Sequence, residues 1–185
     1  MARIPNRTGQ PSTSTRETER WQRQIQNNLP LVGGWLRVEA ARLLDQAARQ
    51  GSGQATLVLA LAYASSPDQR VRDLALDSLE SIHKQTCMDA VWLAWIETRS
   101  TKLLQFLLDK NWIANAPPKA RVYSALRLGK PDLLVRGQIN YVAPLIEACR
   151  DAYPDLANQA RECLRNLHEP EAIDVFCETW ARDRS

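Results

Sequence analysis

The residues of this chain best suited to chemistry are two histidines, four cysteines, six tryptophans and a pair of aspartates set 85 positions apart. His83 and His168 are spaced by the same interval, each just past a helical segment. A histidine pair can relay protons or bind a metal, but a metal site needs three or four converging ligands. His83 and Cys87 are four residues apart, with a turn between them that breaks the shared helical face. A histidine recurring at a turn is read as packing or capping. Cys87, Cys149, Cys163 and Cys177 show no two-residue spacing of a zinc knuckle or redox dithiol. Each lies among apolar neighbours, as small core thiols do, which predicts a reducing compartment, the cytoplasm. Asp89 and Asp174 fall near predicted helix starts, where a carboxylate satisfies free N–H groups. No Gly-rich phosphate loop, nucleophile elbow or paired metal motif is present in the sequence, so neither a cofactor nor a metal is expected.

Such residues need a scaffold, and composition bounds it. With 44% hydrophobic and 24% charged residues over 185 positions, the chain has the make-up of one globular domain or a short repeat array. The longest apolar run, around Ala55–Ala64, is about ten residues, short of the ~18 of a membrane span. Charge is unevenly placed: residues 1–29 carry +3, 30–118 balance, 119–150 carry +4 and 151–185 carry −4. A nucleic-acid binder shows a broader basic excess than this, so nucleic acid ranks below protein as the expected partner.

Residues 1–15 are polar and basic with almost no large apolar side chains, and read as a flexible arm. The rest reads as helical, with Gly and Pro as punctuation. Thr15–Asn27 and Trp35–Gln50 form a helical cap over 16–53, and Gly53–Ser65 a nearly all-apolar helix. Ser66 and Pro67 predict a cap and first turn for helix 67–83, with Val71, Leu74, Ala75, Ser78, Leu79 and Ile82 on one face. Helices follow at 86–98, 101–110, 119–128, 141–150, 154–167 and 170–183, with a short helical turn at 131–136.

Shifting the chain by 85 residues aligns 57–100 with 142–185. Ala75 meets Ala160, Leu79 meets Leu164, Asp89 meets Asp174 and Trp95 meets Trp180. The face Met88, Val91, Trp92, Trp95 maps onto Ile173, Phe176, Cys177, Trp180. Matched faces without a gap predict stacked helical units, a body over 54–185 divided near 140 into units 56–140 and 141–185. In that register Trp95 and Trp180 are expected in equivalent buried sites.

The run Asp68-Gln69-Arg70-Val71-Arg72-Asp73-Leu74-Ala75, followed by Leu79, resembles the second helix of a HEAT repeat. Asp155-Leu156, Ala160 and Leu164 repeat the pattern, with Ala157 where that family has Arg. The 85-residue unit is similar to helical modules of bacterial multidomain proteins. The resemblance implies an all-α, HEAT/armadillo-like right-handed solenoid that binds protein segments without catalysis. It also implies a concave lining from the outward side of the second helices: Asp73, Asp77, Glu80, Asn158, Glu162 and Arg165. His168-Glu169 resembles the His–Glu pairs of HEAT-type di-iron hydroxylases, but a single pair does not fill such a ligand set. Two other readings stay open. One is a DNA-binding HEAT-like protein, glycosylase-like, in which an Asp beside aromatics stabilises a developing cation. The other is a bilin lyase or chaperone, toward which no residue points. Helix 170–183 carries four apolar positions with little sequence after it. An excerpt of a longer protein, or a partner at this end, is therefore expected.

Overall fold

Short polar caps set the helix starts. Ser52 Oγ accepts the Ala55 N–H at 3.2 Å and Asp68 Oδ1 accepts the Arg70 N–H at 3.1 Å. Each satisfies one of the donors that a first helical turn leaves free. The computed structural model describes residues 15–25 and 33–182. The sequence-based expectations for the arm and for Arg184-Ser185 therefore fall largely outside the described residues. Among those described there are ten α-helices and no strand. They are α1 (Thr15–Ile25), α2 (Gly33–Arg49), α3 (Gly53–Ser65), α4 (Gln69–Glu80), α5 (Gln85–Thr98), α6 (Thr101–Lys110), α7 (Pro118–Arg127), α8 (Val142–Ala148), α9 (Pro154–Arg165) and α10 (Pro170–Arg182). Two 3-10 turns, Pro131–Leu134 and Gln138–Asn140, join α7 to α8. None of the described helices is long and apolar enough to cross a membrane.

The all-α expectation holds, and most helix ends fall within two residues of those predicted. The start of α4 is the exception in mechanism: Asp68, not Ser66, is its cap. Ser66 closes α3 instead, donating its N–H to the Ala62 carbonyl at 2.8 Å, while its Oγ accepts the Asp68 N–H at 3.3 Å. Arg37 of α2 reaches Asp68 at 3.5 Å and ties α2 to that cap. Gly51, at φ +98°, closes α2, and a Cβ there would collide with the Lys84 side chain that donates to the Gln50 carbonyl.

Helices touch near neighbours along the chain. α1 packs on α2 and α3, α2 on α3 and α4, α3 on α4, α5 and α6, and α5 on α6 and α7. α7 then packs on α8 and α9, and α8 on α9 and α10. The main core gathers around α5, where Trp92 and Trp95 meet edge to face at 5.5 Å with Leu103, Leu107 and Tyr123 beside them. A second core joins Leu44, Leu59, Val71 and Ala75 of α2–α4, and a small third one holds Val142, Ile146 and Ala172.

α4 and α9 are both 12 residues long and start at 69 and 154; α5 starts at 85 and α10 at 170. α3 carries α4 and α5, as α8 carries α9 and α10. Burial does not follow the same correspondence. Trp95 is fully buried, whereas Trp180 is 45% exposed and Ile173 41% exposed, so the expectation of equivalent burial is overturned. The reason is cover: α6, the 111–117 connection and α7 close over α5, while α10 rests on α8 and the second 3-10 turn with its Trp180 side open.

Candidate functional site

The last turn of α5 places the most unusual group of side chains. Arg99 ends the helix in the left-handed region, φ +54°, with its N–H donated to the Trp95 carbonyl at 2.7 Å. That backbone turn swings the guanidinium back across the core. Its carbon lies 5.0 Å from the Trp95 and the Tyr123 ring centres, and Nη2 lies 2.6 Å from Asp151 Oδ2. Arg127, from the end of α7, sits 4.0 Å over Tyr153 and 5.4 Å over Trp95. Two cations are thus held on aromatic faces, a contact that strengthens as water is excluded. Burial pushes Tyr123 above its usual range, opposed by its hydrogen bond with Arg99. Burial likewise pulls Arg127 below its usual range, opposed chiefly by Tyr153 and Asp151. Trp95 Nε1, Arg99 Nη1, Arg127 Nε and Nη2 and Asp151 Oδ2 are buried without a hydrogen-bond partner, so the π faces and the Arg99–Asp151 ion pair carry what compensation there is.

A cleft of about 440 Å³ opens beside this cage, between Arg99, Tyr123, Ile146, Arg150, Asp151 and Thr179. Glu147 on its edge is paired with Lys119 of α7. A second, smaller pocket of about 200 Å³ is lined largely by Leu134, Val135, Tyr141, Leu145 and Cys163, with Glu162 at its edge. Burial raises the Cys163 thiol above its usual value and does the same to Cys149, so both favour the inert thiol form.

Asp89 is 8% exposed, and its work is structural. Oδ1 accepts from the Asn115 N–H and from Gln85 Nε2, both at 2.8 Å, and Oδ2 accepts from the Ala116 N–H at 3.3 Å. It therefore satisfies donors of the connection before α7, not those of its own helix start, which corrects the capping expectation. The rest of that connection is held from both sides: Trp92 Nε1 donates to the Trp112 carbonyl at 3.0 Å, and Ser124 Oγ accepts the Ala114 N–H at 3.0 Å. Asp174, its counterpart in sequence, is exposed.

The six candidate lining residues, Asp73, Asp77, Glu80, Asn158, Glu162 and Arg165, are all exposed. Their side-chain bonds are local to each helix: Asp73 accepts from Gln69, Asn158 from Arg161 at 2.8 Å and Glu162 from Arg165 at 3.3 Å. α4 packs on α2 and α3, and α9 on α7, α8 and the first 3-10 turn, so the two trios stand on helices with different neighbours. His83 and His168 are exposed, and the His168 and Glu169 N–H groups both donate to Gln138 Oε1, at 2.8 and 3.1 Å. Cys87 is buried and Cys149 and Cys163 half-buried, but Cys177 is exposed, against the reading of all four as core thiols. Among the described residues no group of three or more His, Cys, Asp or Glu could hold a metal ion.

The sequence reading missed the cage. Arg99 was legible only as a recurring position, because the left-handed turn that redirects it has no Gly or Asn to mark it. The six basic residues of 119–150, which include Lys119, Arg127 and Arg150, were the one available signal. No family model matches the chain, nor does any curated protein or solved structure.

Proposed function

We propose that this protein is a non-catalytic interaction module of the HEAT-repeat type that holds segments of other proteins against a stacked helical array. The observation that carries the reading is the set of exposed large apolar side chains on α10 and on the second 3-10 turn that it contacts. Ile139, Ile173 and Trp180 are each at least 41% exposed there. Such patches on soluble chains mark protein contacts. The 85-residue correspondence of helix starts, and the likeness of the α3–α4–α5 and α8–α9–α10 packings, support a repeat arrangement. On this reading Asp73, Asp77 and Glu80, with Asn158, Glu162 and Arg165, line the side shared by the second helices.

Photo-crosslinking residues placed at positions 77, 162 and 173 of the full chain test it in the native host. The expected result is a defined protein joined in stoichiometric yield from at least one position. Crosslinks to nucleic acid alone, or no crosslink from any of the three, overturn it. A nucleic-acid reading has one observation in its favour, the stripe Arg16, Arg20 and Arg23 that borders a shared depression on α1. Retention on DNA that falls steeply with salt, and is lost on reversing these three charges, would establish that reading instead.

A further inference from the structure

We propose that the outward side of α10 docks a basic amphipathic helix supplied by a second, different protein. The inference rests on the interaction-module reading and names the surface and the partner's chemistry. α10 has a divided exposed side. Ile173, Cys177 and Trp180 form an apolar stripe at i, i+4 and i+7, and Glu171, Asp174 and Glu178 form an acidic stripe next to it. Ala172, Val175 and Phe176 belong to the packed side, in the core cluster with Val142 and Ile146 of α8. Trp180 stacks on Phe176 at 5.9 Å and still leaves 45% of its surface exposed.

The chain contains its own example of how such a stripe is covered. Met88, Trp92 and Trp95 on α5 have the same spacing, shifted by 85, and there the cover includes α7. α7 reads Pro-Lys-Ala-Arg-Val-Tyr-Ser-Ala-Leu-Arg, with three basic residues and no acidic one. It sets Tyr123 against Trp95 at 6.2 Å and, one turn later, Arg127 over the same indole at 5.4 Å. A helix with an aromatic residue and an Arg four positions on would reproduce both contacts on Trp180. Its basic side would then meet the acidic stripe, which α5 lacks.

The same charges argue against a second copy of this chain as the occupant. An antiparallel two-fold pairing of α10 with itself sets acidic stripe beside acidic stripe. The exposed basic helix α1 supplies arginines, but its apolar residues Trp21 and Ile25 already pack in the α2–α4 core.

A synthetic peptide of residues 117–128 serves as the probe, titrated into the full-length protein by calorimetry. Three comparisons accompany it: a peptide with Lys119, Arg121 and Arg127 changed to Glu, the protein variant Trp180→Glu, and the variant Asp174→Lys/Glu178→Lys. The parent peptide should bind in the micromolar range, and weaken at least about tenfold with Trp180→Glu. Binding should also weaken between about 50 and 500 mM salt. The reversed peptide should bind only the Asp174→Lys/Glu178→Lys protein, a rescue that misfolding cannot produce. Absence of binding at about 1 mM peptide, or equal binding to the Trp180→Glu variant, overturns the proposal. Sedimentation that grows with concentration and is abolished by Trp180→Glu overturns it as well, because a second copy then covers the face. If a protein partner crosslinks through position 77 or 162 while α10 binds no basic helix, this inference falls and the interaction-module reading stands.

Discussion

α5 and α10 begin 85 residues apart and carry matching apolar stripes, yet one is the centre of the core and the other is half open. Part of the difference lies within the helices: α5 is apolar on nearly every side, whereas α10 carries Glu171, Asp174, Glu178 and Arg182. The rest lies in what covers them. Trp95 is buried because Tyr123 and Arg127 arrive from α7 and Tyr153 from the turn before α9, while Arg99 folds back from the end of α5 itself. Trp180 stacks on Phe176 of its own helix and stays 45% exposed. An amphipathic pattern therefore states that a face wants cover; whether it receives cover is decided by sequence far from the pattern.

Mutation should separate the two regions sharply. Trp95→Ala should cost about 4 kcal/mol in urea unfolding, as large buried aromatics do. Trp180→Ala should cost under about 1 kcal/mol. Equal losses would mean that α10 is buried in solution. Next in size is the ion pair at the end of α5. Asp151 has a side chain only 2% exposed, so Arg99→Ala takes the nearest cation from a buried carboxylate that keeps the Tyr153 N–H at 3.0 Å, and should cost about 3 kcal/mol. A loss no larger than a surface substitution gives would show that solvent reaches Asp151. Third, Asp89→Ala removes the acceptor of two backbone N–H groups and should cost about 2 kcal/mol. Asp174→Ala at the exposed counterpart should stay within about 0.5 kcal/mol. Amide exchange at Asn115 and Ala116 should accelerate in the first variant alone.

The smallest effect is chemical. Cys177 is exposed and should alkylate first, with Cys163 and Cys149 slower and Cys87 slowest. Burial raises the thiol pKa of Cys149 and Cys163, so the thiolate, the reacting form, appears at higher pH than in a free cysteine. Their labelling should therefore rise with pH through a range above the usual thiol value, and fall back to ordinary behaviour on unfolding. Mass-spectrometric labelling at several pH values reads this order directly.

Much of the fold was legible in the sequence because helices declare themselves locally. The stripe Leu103, Leu104, Leu107, Leu108 and the breaks at Gly51, Pro117-Pro118 and Gly129 act within a few residues of the structure they specify. The candidate site was far less legible. Arg99 and Asp151 are 52 positions apart, and Trp95 and Tyr153 are 58 apart. Their meeting depends on how α7 and α8 stack, which no periodicity encodes. Asp89 shows the same limit at shorter range: its position was read correctly, but the donors it serves lie 26 and 27 residues downstream. Charge segregation fared in between, since the basic stretch 119–150 was visible while its placement on aromatic faces was not.

The cage also fixes how the molecule comes apart. Stacked helical arrays with weak joints melt piecewise, one segment fraying while the rest survives. Arg99 after α5 is paired with Asp151 before α9, and Arg127 of α7 is held between Trp95 and Tyr153, so opening that contact bares two guanidinium groups and a tryptophan at once. Such an opening has no cheap intermediate. The stretch from α5 to α9 should therefore unfold as one cooperative block, with amide protons on both sides of residue 140 exchanging through a single shared event.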